Sequence, residues 1–120
     1  MTALLAALLA AASTPRRIRL LAGGLLLLGA AFAQAEDFLV SQKDKAFSVK
    51  TLKIKVGDAV NFRNDDPFFH NIFSLSDVQI FDLGSFPQGQ AKKVVFLKAG
   101  TVEVECAIHP SMKLIIEVTK

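Results

Sequence analysis

The sequence predicts an all-β domain, an antiparallel sandwich of short strands. Three observations lead there. Beyond residue 36 no stretch carries a helical period. Apolar and polar residues alternate there over runs of five to seven, the period of a half-buried strand. Gly, Pro and Asn-Asp clusters interrupt the alternation at short intervals, too often for long elements.

Taken in order, Asp37 to Ser41 reads as a first strand, and Ala46 to Val56 as a second, in which Leu52, Ile54 and Val56 alternate with Lys53 and Lys55. Gly57-Asp58 turns the chain into a strand over Ala59 to Arg63, and Asn64-Asp65-Asp66-Pro67 makes a loop. A short strand follows at Ile72 to Leu75. Asp77 to Gln90, with Gly84, Pro87 and Gly89, reads as irregular. Lys92 to Leu97 is the next strand, Ala99-Gly100 a turn, and Thr101 to Cys106 a strand with Val102 and Val104 opposite Glu103 and Glu105. Lys113 to Thr119 closes the domain. Seven or so strands in this length form one small domain, whose core is marginal in size.

The first 35 residues are a different kind of sequence. Ala, Leu and Gly dominate, broken by Arg16, Arg17 and Arg19; an apolar run from Leu20 to Phe32 then meets Ala33-Gln34-Ala35, a small-residue cleavage pattern. That order is expected of a secretory signal peptide over 1–35, cut after Ala35 to leave a domain of residues 36–120. The apolar run is shorter than the ~20 residues a spanning helix needs, so no stable membrane span is expected in the mature form. Removing the three arginines leaves eleven basic against eleven acidic residues. A neutral domain whose lysines alternate with apolar residues gives no basic stripe for nucleic acid.

Chemistry concentrates in four residues. Cys106-Ala-Ile-His109-Pro-Ser-Met112 has C-x2-H-x2-M spacing, and His70 stands upstream in Phe68-Phe69-His70-Asn71. These are both histidines, the one cysteine and, besides Met1, the one methionine of the chain. A thiolate, two imidazoles and a thioether are the ligand set of a blue-copper electron-transfer site, and the thioether selects copper over zinc. Cys106, His70 and His109 supply the trigonal plane and Met112 the weak axial ligand. Asn71, next to His70, is the candidate partner tying the two ligand segments together. A lone thiol in an exported chain is a reactivity hazard that metal ligation removes. Counting excludes the alternatives: no C-x-x-C-H for haem, no paired C-x-x-C for zinc, and no histidine left to serve Ser74 or Ser76 as a catalytic base. The residues therefore point to one mononuclear copper site and not to an enzyme. Copper storage or delivery is the alternative use of the same ligands.

On these residues the chain resembles the small cupredoxins of the plastocyanin and amicyanin type. The resemblance covers most of residues 37–120: Val56-Gly57-Asp58-Ala59-Val60-Asn61-Phe62, Asn64-Asp65-Asp66, His70-Asn71-Ile72, Gly100-Thr101-Val102-Glu103-Val104-Glu105-Cys106, and the ligand loop. The short loop is most like that of amicyanin. The resemblance implies a Greek-key β-sandwich, copper ligation by His70, Cys106, His109 and Met112, and an exposed His109 ring edge. It also implies one-electron transfer in the periplasm between redox proteins, a dehydrogenase or a cytochrome. Two positions depart from the family pattern. Phe69 precedes the first histidine where Pro is common, and Ser111 precedes Met112 where amicyanin has Phe. Pro67, Phe68 and Pro110 are the candidates for a substitute apolar rim.

Overall fold

A computed structural model describes residues 34–120, with Gly24 and Gly29 before them. The rest of the leader expected over 1–35 lies outside the described residues. Among the described residues, nine strands form two sheets: β1 (Asp37–Lys43), β2 (Ala46–Phe47), β3 (Thr51–Lys55), β4 (Ala59–Asn64), β5 (His70–Ser74), β6 (Phe81–Phe86), β7 (Ala91–Val95), β8 (Gly100–Glu105) and β9 (Lys113–Thr119). One sheet has the order β2-β1-β4-β7 and the other β3-β9-β8-β5-β6. Among the described residues no helix is long and apolar enough to cross a membrane.

Alternation builds the core. Val40 from β1, Val60 and Phe62 from β4, Val94 from β7, Val102 and Val104 from β8, and Leu114, Ile116 and Val118 from β9 are all buried between the sheets. Phe62, Phe86 and Phe96 are fully buried, and each contributes about 1.5–3 kcal/mol relative to an exposed ring. Glu103, Glu105 and Lys113 take the outward positions of β8 and β9, where Lys113 pairs with both carboxylates.

Three expectations need correction. The sandwich is not wholly antiparallel: β1 runs parallel to β4 and β3 parallel to β9. The parallel partners are distant in sequence, whereas the hairpins β1–β2, β5–β6 and β8–β9 are antiparallel. The stretch Ala46 to Val56 is two strands in different sheets. Its alternation changes phase, from odd positions (Phe47, Val49) to even ones (Leu52, Ile54), so no single strand could keep both sets on one face. Finally, Asp77 to Gln90 contains β6. Between Asn71 and Phe73 of β5 the pairing partner moves from Ser85 to Asp82, one residue more on β6. Gly84 takes φ 69° at this bulge and donates its amide to Asp82 Oδ1 at 2.8 Å. The bulge shifts the apolar phase from Phe81 and Leu83 to Phe86 and hides the strand from a period-two reading.

One buried position breaks the pattern. Gln42 of β1 is fully buried, and neither side-chain atom has a partner among the described residues. An unpaired buried amide costs about 1–3 kcal/mol. Gln42→Met keeps the volume and removes the polar atoms. It is expected to raise the melting temperature by at least about 4–8 °C, the shift given by 1 kcal/mol in a domain of this size. A lower melting temperature would show that the amide is bonded to water held in the core.

Candidate metal centre

The site grows out of the strand alternation. On β5 the inward positions are His70, Ile72 and Ser74; on β8 and its extension they are Val102, Val104 and Cys106; on β9 and the residue before it they are Met112, Leu114, Ile116 and Val118. The three strands are neighbours in the order β9-β8-β5. His70, Cys106 and Met112 are therefore the end rungs of three adjacent inward ladders, all at one pole of the sandwich. Their exposures of 0%, 2% and 1% follow from that placement. His109 comes from the turn between β8 and β9, which is closed by the Met112 amide donating to the His109 carbonyl at 2.9 Å. It is the half-buried member of the group.

Cys106 Sγ lies 3.7 Å from His70 Nδ1 and 3.8 Å from His109 Nδ1, and the two Nδ1 atoms are 3.2 Å apart. These distances close a triangle whose centre is about 2.1 Å from each atom, against metal–imidazole bonds of about 2.0–2.1 Å and metal–thiolate bonds of about 2.3 Å. The triangle fits one metal ion in a trigonal plane. The buried Met112 follows the same turn.

The protonation pattern supports this fit. His70 Nε2 is 2.6 Å from Asp66 Oδ2, both groups being buried. Asp66 can only accept when ionised, so Nε2 carries the proton, and Nδ1, facing Cys106 and His109, is the ring nitrogen left for a metal. Burial works against the Asp66 charge. The hydrogen bonds from His70 and from the Lys45 and Asp44 amides outweigh it and hold the pKa below the ordinary 3.8. Burial, then the neighbouring His70 and Lys45, hold the His109 pKa below 6.5 against the pull of Asp66. The shift favours the uncharged ring, which can offer Nδ1 to a metal.

Asp66 also holds the scaffold. Its oxygens accept the amides of Asp44 at 2.7 Å and Lys45 at 3.1 Å. Both of those residues have φ 55°, the left-handed conformation that a two-residue hairpin between β1 and β2 requires. Neither is glycine, so the turn is costly by itself and the carboxylate compensates. Asp65, next in sequence, turns the other way and chelates Arg63 through bonds of 2.8 and 2.9 Å. Asn64, fully buried, pins the loop: its Nδ2 donates to Phe68 O at 2.8 Å and Phe86 O at 2.9 Å, and its Oδ1 accepts the Asp66 amide at 2.8 Å. Phe68 then packs on both imidazoles, with ring centroids 5.3 Å from His70 and 5.2 Å from His109.

The structure thus brings together three of the expected ligands as a triangle and places Met112 beside them in the chain. The Asn71 side-chain oxygen is buried with no partner among the described residues, and the buried carboxylate on His70 is Asp66. Of the expected rim, Pro67 and Pro110 are exposed but Phe68 is partly buried under Lys45, whose ammonium sits 5.7 Å from the ring. Exposed apolar surface beside the histidines comes instead from Phe69 (55%) and Ile108 (50%).

A two-sheet sandwich with His, Cys and Met ending three inward ladders, beneath a half-exposed histidine, is a mononuclear metal-binding domain of the cupredoxin class. Comparison with known proteins agrees. The methylamine utilization protein MauL of Methylorubrum extorquens is 34% identical over 87 residues, covering 72% of this chain and 76% of MauL. A copper(I) amicyanin structure superimposes with a TM-score of 0.64 at 25% identity, covering 68% of this chain and 81% of amicyanin. A purple cupredoxin from Nitrosopumilus maritimus gives 0.62 at 25% identity, covering 69% of this chain and 100% of its own. A copper-containing nitrite reductase from Thermus scotoductus gives 0.64 at 31% identity and covers 70% of this chain, which spans only 22% of that enzyme's chain. No protein-family model matches. The chain belongs to the small cupredoxins, in the group of MauL and amicyanin.

Proposed function

We propose that the chain is an exported type 1 copper protein that carries single electrons between redox proteins and is not itself an enzyme. The observation that carries this reading is the ligand triangle, preformed within two β-sheets and reaching solvent at a single ligand ring. His70, Cys106, His109 and Met112 would hold copper, and the bound ion would supply a Cu(I)/Cu(II) couple. Ligands fixed by strand ladders and by Asp66 change position little between the two oxidation states, which favours fast exchange. His109, half-buried among exposed Phe69, Ile108 and Pro110, is the route for the electron, because the other ligands are enclosed.

Export follows from the leader: cleavage after Ala35 would deliver residues 36–120 to the periplasm. The similarity to a methylamine utilization protein agrees with a role between redox proteins, a dehydrogenase or a cytochrome among them. A neutral domain is steered little by net charge, so docking depends on the apolar surface beside His109. The test is to mix the purified, copper-loaded and fully reduced domain with an oxidised cytochrome c and, separately, with an apo copper acceptor. One electron passed per copper, with the metal retained, is the expected result. Metal moving to the acceptor without electron exchange would make the protein a copper carrier instead.

A further inference from the structure

The residue at the join between leader and domain is held by a carboxylate at its backbone nitrogen. Glu36 N lies 2.9 Å from Asp58 Oδ1, and Asp58 Oδ2 accepts the Lys55 amide at 2.7 Å. Asp58 is 5% exposed and sits in the turn between β3 and β4. Its own amide donates to Lys55 O at 3.0 Å, and its carbonyl accepts from Phe96 N at 2.9 Å. One residue on, the Ala59 amide donates to Glu36 O at 2.9 Å. Glu36 is thus gripped at both its nitrogen and its oxygen by a turn that is itself tied to Lys55 of β3 and to Phe96. Ala35 and Gln34 lie in a cleft of about 640 Å³ beside Lys53, Lys55 and Thr119.

In the uncut chain Glu36 N is a neutral amide. Hydrolysis of the Ala35–Glu36 peptide bond adds water across it, leaving a carboxylate on Ala35 and a protonated primary amine on Glu36. We propose that Asp58 is the binding site of this mature α-ammonium, so that removal of the leader turns a neutral hydrogen bond into an ion pair fastening the start of β1 to the β3–β4 turn. The inference rests on cleavage after Ala35, the reading given above. Asp58 is suited to it: hydrogen bonds from the Glu36 and Lys55 amides hold its pKa below 3.8, so it is ionised throughout the neutral range in which the amine gives up its proton. Lys53 and Lys55, which line the same cleft, oppose the new positive charge; the Glu36 carboxylate adds to the pull of Asp58. Asp37 is already engaged by Lys93 at 2.8 Å.

The test starts with the full-length chain, exported by a bacterial host, and the mass of the mature product. The Glu36 α-amine is then titrated by NMR. A chain beginning at Glu36 should show an amine titrating roughly one unit above the ordinary ~7.7–8.0. Asp58→Asn should return it to that range; if that variant does not fold, the wild-type titration still decides. A variant keeping one extra alanine before Glu36 retains the hydrogen bond without the charge. It should melt a few degrees lower at pH 6. A group whose pKa is raised on folding stabilises below its unfolded value, so this gap should close as pH rises through the folded pKa. A mature chain beginning elsewhere overturns the premise. An ordinary amine pKa in a chain that does begin at Glu36 overturns the Asp58 site and leaves the cleavage reading intact.

Discussion

Replacing Asp66 with alanine is expected to lower the melting temperature by at least about 12 °C and to weaken copper binding. The carboxylate accepts from three donors: the ring of His70 at 2.6 Å and the amides of Asp44 and Lys45 at 2.7 and 3.1 Å. Each hydrogen bond to a charged group contributes about 1.5–3 kcal/mol, and 1 kcal/mol shifts a domain of this size by about 4–8 °C. The left-handed Asp44-Lys45 turn also loses its support. Asp66→Asn separates the roles. Its single oxygen can still accept the Asp44 amide from the Oδ1 position, but the amide nitrogen then meets the Lys45 amide and His70 Nε2–H, donor against donor. That variant should fold with a smaller loss yet bind copper about 10–100-fold more weakly, the usual effect of losing the partner that orients a ligating histidine. The pH dependence has a definite sign. Asp66 has a depressed pKa, so its contribution is complete above the unfolded value near 3.8 and is lost as pH falls through the folded value. Thermal melts of the metal-free protein should show a larger acid loss in the wild type than in Asp66→Asn, where the loss due to Asp58 remains.

Asn64→Ala is expected to cost about 2–4 kcal/mol, because the carbonyls of Phe68 and Phe86 and the amide of Asp66 all lose their partner in the interior. The melting temperature should fall by about 10 °C or more. Asn64→Asp should be no better, since it sets a carboxylate oxygen against the Phe68 and Phe86 carbonyls. The damage reaches the metal: Phe68, released at its carbonyl, no longer holds its ring against His70 and His109. Broadened imidazole resonances in the metal-free Asn64→Ala protein, with the β9 resonances unchanged, would mark that path. A melting temperature within 2 °C of wild type would contradict it.

Much of this site was legible in the sequence because it is an extension of strand alternation. Cys106 is in phase with Val102 and Val104, and Met112 with Leu114, Ile116 and Val118, so the ligands follow the same rule that places the core. Asp66 was not legible. In Asn64-Asp65-Asp66-Pro67 it looks like a solvated loop residue, and nothing local distinguishes it from Asp65, which does face outward to Arg63. Its partners, the 44–45 turn and His70, converge only in three dimensions. The parallel pairing of β1 with β4 and β3 with β9 is hidden for the same reason, since local periodicity says nothing about which distant strand is the neighbour. The break between β2 and β3 was visible as a change of phase, but Ser48-Val49-Lys50 carries no Gly, Pro or Asn to announce it. The edge strand β6 was concealed by its own bulge at Gly84.

The central claim is that His70, Cys106 and His109 close around copper with a thiolate bond. Its most direct test is the visible absorption spectrum of the purified mature domain titrated with Cu(II). An intense thiolate-to-copper band that saturates at one equivalent and is absent in Cys106→Ala is the predicted result. A colourless protein that binds zinc in preference to copper, with the same spectrum in wild type and Cys106→Ala, would contradict it.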